Sequence, residues 1–196
     1  MGKLTYITGG AKSGKTRFAQ DQVLAGNFQS VAYLATQAND FKDQEIQRAI
    51  ANHQASRPQS WQTVEAYQDL DQVIHQLDGT VQAVILDCVT LWLTNNLFHY
   101  WDQQAPEGDM DYETLSAQAI DQGESFLLAE MDKLLTAIDQ SSLEVWMISN
   151  EVGASLVPSY ALGRIFRNYQ GVINQHIAQA SNRAYWMVSG LSVRIK

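Results

Sequence analysis

Residues 9–16, Gly9-Gly10-Ala11-Lys12-Ser13-Gly14-Lys15-Thr16, directly follow an apolar run at 4–8 and directly precede a helical pattern. No other feature constrains the fold as much. The spacing is G-x-x-x-x-G-K-[ST], a turn that works only between a strand and a helix. The glycines let successive backbone N–H groups face inward, and the helix N-terminus adds positive potential, so phosphate oxygens are the natural ligand. Gly9, Gly10, Ala11, Lys12, Ser13 and Gly14 form the cradle. Lys15 reaches toward β- and γ-phosphates, and Thr16 offers its hydroxyl to Mg²⁺. The alternative is a chance glycine-rich turn, and the flanking strand and helix argue against it.

The rest of the chain repeats the strand-helix alternation. Apolar runs at 30–36, 83–89 and 144–150 read as strands, with a further short one at 61–66. Helical spacing marks 14–25, 41–54, 70–77, 90–98, a long stretch through Leu127, Met131, Leu134 and Ile138, and another through Leu162, Ile165, Phe166, Tyr169, Ile173 and Ile177. The acidic stretch 102–111 holds Pro106 and Gly108 and reads as an exposed loop. Two strands close the chain. This order predicts one α/β domain over 1–196, with a mostly parallel sheet covered by helices on both faces.

Charge narrows the partners. The net charge is −8, the opposite of a nucleic-acid footprint. Seventeen of the 21 acidic residues lie between Pro58 and Gly163, where Lys133 is the only basic residue. Other basic residues gather in the first third and near the end, a distribution suited to one anionic small molecule. No apolar run approaches the ~18 residues of a membrane span. Cys88 is the only cysteine, so no internal disulfide can form. These features predict a cytoplasmic protein with no membrane span.

Two further residues carry chemistry. Asp87 interrupts the apolar run 83–89 at its end, where a carboxylate commonly assists Mg²⁺ binding in nucleotide-binding α/β proteins. Alternatively, it caps the following helix. His53 sits near the end of a helix, one turn before Arg57 and Pro58. An imidazole there is either structural or a nucleophile, with Arg57 placed to meet a phosphate beside it. The phosphate loop does not itself distinguish a kinase, a motor ATPase and a switch.

Five segments then occur in order: TGGAKSGKT, RAIANHQASRP with Trp61 and TVE following, LDCVTLWLTNNL, NEVGASLVP and VSGLSVRIK. Together they resemble the bifunctional adenosylcobinamide kinase/adenosylcobinamide-phosphate guanylyltransferase family of cobalamin biosynthesis, from residue 4 to 196. The resemblance implies a RecA-like phosphate-loop fold and a homotrimer. It implies phosphorylation of the aminopropanol hydroxyl of adenosylcobinamide by ATP or GTP, then transfer of GMP from GTP through a covalent bond to His53. It also implies that Thr36, Gln54, Ala55, Ser56, Arg57, Glu65 and Asp87 line the GTP site. Glu65 is suited to guanine, whose N1–H and amino group both donate. Two rivals stay open: a kinase of another small molecule with a structural His53, and a RecA-like ATPase that binds a macromolecular partner.

Overall fold

A computed structural model describes residues 1–37, 58–105 and 111–196. The elements are β1 (Lys3–Gly9), α1 (Lys15–Ala25), β2 (Val31–Ala35), β3 (Gln62–Glu65), α2 (Leu70–Leu77), β4 (Ala83–Asp87), α3 (Val89–Gln104), α4 (Ala117–Gln140), β5 (Glu144–Ile148), α5 (Ala161–Ala180), β6 (Arg183–Val188) and β7 (Leu191–Arg194). Seven strands form one sheet in the order β3-β2-β4-β5-β1-β6-β7. All neighbours are parallel except β6 and β7.

The period-two alternation of the strands divides the core. Ile7, Tyr33, Ile85, Trp146 and Ile148 point to the face covered by α1, where Ala19 and Val23 meet them. Tyr6, Leu34, Val84, Leu86, Val145 and Met147 point to the other face, under α2 to α5. Central strands buried on both sides need apolar residues at nearly every position, which is why 83–86 reads as a continuous run. Truncating one of these fully buried leucines to alanine costs about 2–5 kcal/mol.

Helix α4 starts at Ser116, whose hydroxyl accepts a hydrogen bond from the Ala119 N–H at 3.2 Å. Helix α3 runs to Gln104, farther than the sequence pattern predicts, and takes in the first part of the segment expected to be a loop. Tertiary packing is the reason. The Tyr100 ring stacks on Phe126, with centroids 4.6 Å apart, and Trp101 is buried against Tyr169. These contacts hold the helix past the point where local polarity alone would end it.

The parallel strands share one direction, so their C-terminal ends line one edge of the sheet. Gly9, Thr36, Glu65, Asp87 and Asn150 all end a strand there or lie within two residues of its end. That is the edge at which open α/β sheets bind ligands.

Candidate active site

The phosphate loop is shaped by backbone conformations that side chains resist. Gly14 has φ +98°, and the Gly14 carbonyl accepts the first helical bond of α1, from Phe18 N–H at 2.9 Å. The loop is also tied down: Gly190 N–H donates to the Ser13 carbonyl at 3.0 Å. Gly10, Ala11 and Lys12 are exposed at its crest.

Lys15 folds back into this loop. Its ammonium donates to the carbonyls of Gly9 at 3.0 Å and Gly10 at 2.7 Å. The side chain is buried, and burial lowers its pKa below the ordinary lysine value, opposed by the charges of Asp87 and Cys88. Two of the three ammonium donors are engaged by these carbonyls, which leaves one for another acceptor.

Asp87 is the second fixed point. Its Oδ2 accepts hydrogen bonds from the Thr16 hydroxyl at 2.8 Å and the Tyr33 hydroxyl at 2.5 Å. Strand β5 lies between β4 and β1, so Thr16, at the start of α1, reaches across it to meet Asp87. The capping alternative is not what the geometry shows: α3 has Cys88 at its N-cap, with no side-chain cap bond. Thr16 and Asp87 together present only oxygen donors, the set a hard cation such as Mg²⁺ prefers. Among the described residues, no cluster of three or more His, Cys, Asp or Glu forms a self-sufficient metal cage. Two oxygen donors alone would leave most of such a cation's coordination sphere to other ligands.

Thr36 is fully buried. Its hydroxyl donates to the Cys88 carbonyl at 2.6 Å and accepts from the Cys88 N–H at 2.9 Å. Its own carbonyl accepts from the Asn95 amide at 2.9 Å. The residue thus clamps the backbone next to Asp87. Burial pushes the Cys88 thiol up to about 11, with the adjacent Asp87 charge adding to the effect. Glu65 ends β3 in register with Ala35 and is exposed. His53, Gln54, Ala55, Ser56 and Arg57 lie outside the described residues.

Some contributors are not visible in sequence. The Tyr33 hydroxyl on Asp87 is one, since a tyrosine in an apolar strand reads as core. A polar group under β5 is another. Gln170 Nε2 donates to Ser149 Oγ at 3.0 Å and Asn174 Oδ1 at 2.9 Å, and the Asn174 amide donates to the Asn150 carbonyl at 3.0 Å. Buried bonds of this kind fix the strand end from which Asn150 and Glu151 emerge. Among the described residues, Arg164 and Arg167 on α5 make no ion pair. Arg164 donates to the carbonyls of Pro158 and Ser159, and Arg167 donates to that of Gly153 at 2.6 Å.

Residues 5–195 match the family described as cobinamide kinase / cobinamide phosphate guanyltransferase. The chain is 38% identical over 193 residues to the bifunctional adenosylcobalamin biosynthesis protein CobU of Escherichia coli (strain K12), covering 98% of this chain and 99% of that protein. Its identity to the bifunctional adenosylcobalamin biosynthesis protein CobP of Pseudomonas aeruginosa is 32%, over 97% of this chain and 95% of that protein. Among solved structures, an ATPase from the type III secretion system of pathogenic bacteria is similar in fold. Its TM-score is 0.54 at 10% identity, over 99% of this chain and 57% of that one.

Proposed function

The chain belongs to the cobinamide kinase / cobinamide phosphate guanyltransferase family, and from that premise we propose that one nucleotide-binding edge serves two successive reactions. In the first, the aminopropanol hydroxyl of adenosylcobinamide attacks the γ-phosphorus of ATP or GTP, the bond to the β,γ-bridging oxygen breaks, ADP or GDP leaves, and the hydroxyl proton passes to solvent. In the second, a ring nitrogen of His53 attacks the α-phosphate of GTP. The bond to the β-phosphate breaks and pyrophosphate leaves. An oxygen of the new phosphate monoester then attacks the same phosphorus, the P–N bond breaks, and adenosylcobinamide-GDP is released with the imidazole restored. Two displacements replace one encounter between two anions.

The observation that carries this reading is the fixed geometry of Lys15, Thr16 and Asp87 at the sheet edge, in a chain related to that family from end to end. Lys15 neutralises phosphate charge. Thr16 and Asp87 hold Mg²⁺, which supplies further charge neutralisation when bound with the nucleotide. Gly9 through Gly14 cradle the phosphates with backbone N–H groups. Arg57 offsets negative charge beside His53, with Gln54, Ala55 and Ser56 forming the rest of that wall. Thr36 acts by holding the backbone at Cys88. Glu65 reads the guanine. The whole chain, 1–196, acts as one catalytic unit in the cytoplasm and assembles as a homotrimer. Its partners are small molecules rather than nucleic acid. No described helix is long and apolar enough to cross a membrane.

The test is transfer of label. GTP labelled at the α-phosphate should leave label on the protein, and γ-labelled GTP should not. The linkage should be acid-labile and alkali-stable, because a phosphoramidate departs once its nitrogen is protonated. His53→Ala should abolish labelling and formation of adenosylcobinamide-GDP. A normal rate of that product in the variant would mean direct transfer.

A further inference from the structure

A concave site opens next to the segment that follows β5. It is a cavity of about 300 Å³ between α3, the segment after β5 and the start of α5. Its lining includes Leu97, Phe98, Val152, Tyr160, Phe166 and Arg167. Gly163 allows the Tyr160 ring to lie against α5; a Cβ there would stand 2.6 Å from the ring. Among the described residues the lining is mostly apolar, and its one charged group is the Arg167 guanidinium. Its Nε is buried and has no hydrogen-bond partner among the described residues, while an Nη donates to the Gly153 carbonyl. Among the described residues it has no carboxylate in ion-pair range.

Position ties this cavity to the nucleotide. Glu151 N–H donates to the Gly9 carbonyl at 3.0 Å, and Glu151 Oε1 accepts from Gly153 N–H at 2.9 Å. One short segment thus touches the phosphate loop at one end and Arg167 at the other. Two Cα steps separate Glu151 from Gly153, a span of at most about 7.6 Å. Arg167, the charged group of the cavity, is thus linked to the phosphate loop through residues 151–153.

On the reaction proposed above, we infer that this cavity seats the aminopropanol arm of the acceptor in both steps and that Arg167 binds the phosphate added in the first. The arm ends in a secondary hydroxyl flanked by a methyl group, so it matches apolar walls with a polar edge. The corrin ring is too large for the cavity and stays outside it. A planar, always-charged guanidinium is suited to a phosphate monoester and has little to offer a neutral hydroxyl. Arg167 therefore distinguishes the acceptor before and after phosphorylation, retaining the intermediate for the second step.

The experiment measures KM and kcat for adenosylcobinamide, for adenosylcobinamide phosphate and for GTP in the wild type and three variants. Arg167→Gln should raise KM for the phosphorylated acceptor at least tenfold, and that for the unphosphorylated acceptor less than threefold. Arg167→Lys, which keeps the charge but not the fork, should fall between wild type and the Gln variant. Tyr160→Ala, at an exposed position, should raise both acceptor KM values by a similar factor of three to ten. Equal changes for the two acceptors in Arg167→Gln would make the guanidinium a loop clasp only and overturn the assignment. So would losses that fall on the GTP KM, which would make the cavity a base pocket. If Arg167→Gln does not fold, Arg167→Lys decides by the same criterion, a larger rise in KM for the phosphorylated acceptor than for the unphosphorylated one. Absence of any turnover by the wild type would overturn the reaction itself, an outcome distinct from turnover with unselective variants.

Discussion

The phosphate loop is one run of eight consecutive residues, Gly9 to Thr16, whereas the neighbouring cavity draws on three stretches around 97, 152–160 and 162–167. The first binds through backbone N–H groups shaped by glycine, with Lys15 held by two carbonyls of the same loop. The second binds through side chains from separate elements, held by arginines on backbone carbonyls. The difference teaches where failure spreads. A cradle shared by every nucleotide that enters cannot be damaged selectively. A cavity assembled from side chains can lose one ligand and keep another.

The strongest test of that contrast is Lys15→Ala. The substitution removes a buried cation from the cradle and should lower kcat/KM of both reactions by on the order of 10²-fold or more, as loss of a transition-state contact commonly does. Assaying each half-reaction separately checks it. Near-normal rates in either would break the claim that one cradle serves both.

Glu65 sharpens the contrast within the nucleotide side. It ends the edge strand β3, two strands beyond β4 and its Asp87, and on the proposed reaction it meets the base rather than the phosphates. Glu65→Gln removes a charged acceptor of the kind worth roughly 1.5–3 kcal/mol. GMP transfer from GTP should fall about ten- to a hundredfold, with ATP-driven phosphorylation changing much less. Equal losses with the two nucleotides would remove Glu65 from base recognition.

Legibility followed the same division. The phosphate loop could be read directly because its strand, turn and helix are contiguous and its glycines answer to local backbone geometry. Asp87 was legible as a carboxylate ending an apolar run, and Thr16 was expected to join it at Mg²⁺, in keeping with their hydrogen bond; the Tyr33 hydroxyl on Asp87 was not legible, since a tyrosine in an apolar strand reads as core. The strand alternation predicted a sheet with both faces covered, and the two core faces bear this out. The end of α3 was misjudged because Tyr100 and Trp101 depend on Phe126 and Tyr169, which are distant in sequence. The partners of the α5 arginines are not legible in sequence because their acceptors are backbone carbonyls, and no residue type announces a free carbonyl.

Thr36 tests how rigid the nucleotide side must be. Thr36→Val keeps the shape but strips two hydrogen bonds from the buried Cys88 backbone. An unsatisfied buried group costs about 1–3 kcal/mol, and in a chain of this length each kcal/mol lowers Tm by roughly 2–4 °C. A fall of about 4–8 °C by calorimetry is the expected outcome, with slower turnover in both reactions because Asp87 is the adjacent residue. Full stability would show that Thr36 is merely space-filling.

The smallest effect belongs to the acceptor side. Glu113 precedes α4 and reaches the start of α5, where its carboxylate accepts from Ala161 N–H at 2.7 Å and from Leu162 N–H at 3.4 Å. A helix leaves its first N–H groups without intrahelical partners, and a negative charge there complements the dipole. Helix α5 starts at the mouth of the cavity, so this exposed bond holds Tyr160 and the Arg164 and Arg167 contacts in place. Glu113→Gln keeps an oxygen acceptor but loses the charge, worth about 0.3–1 kcal/mol at an exposed position. Tm should fall by no more than about 4 °C, and added salt should shrink the difference because exposed charges are screened. Both acceptor KM values should rise about two- to threefold while the GTP KM stays put. A rise in the GTP KM of the same size would mean that the cradle and the cavity move as one body, and the contrast between them would fail.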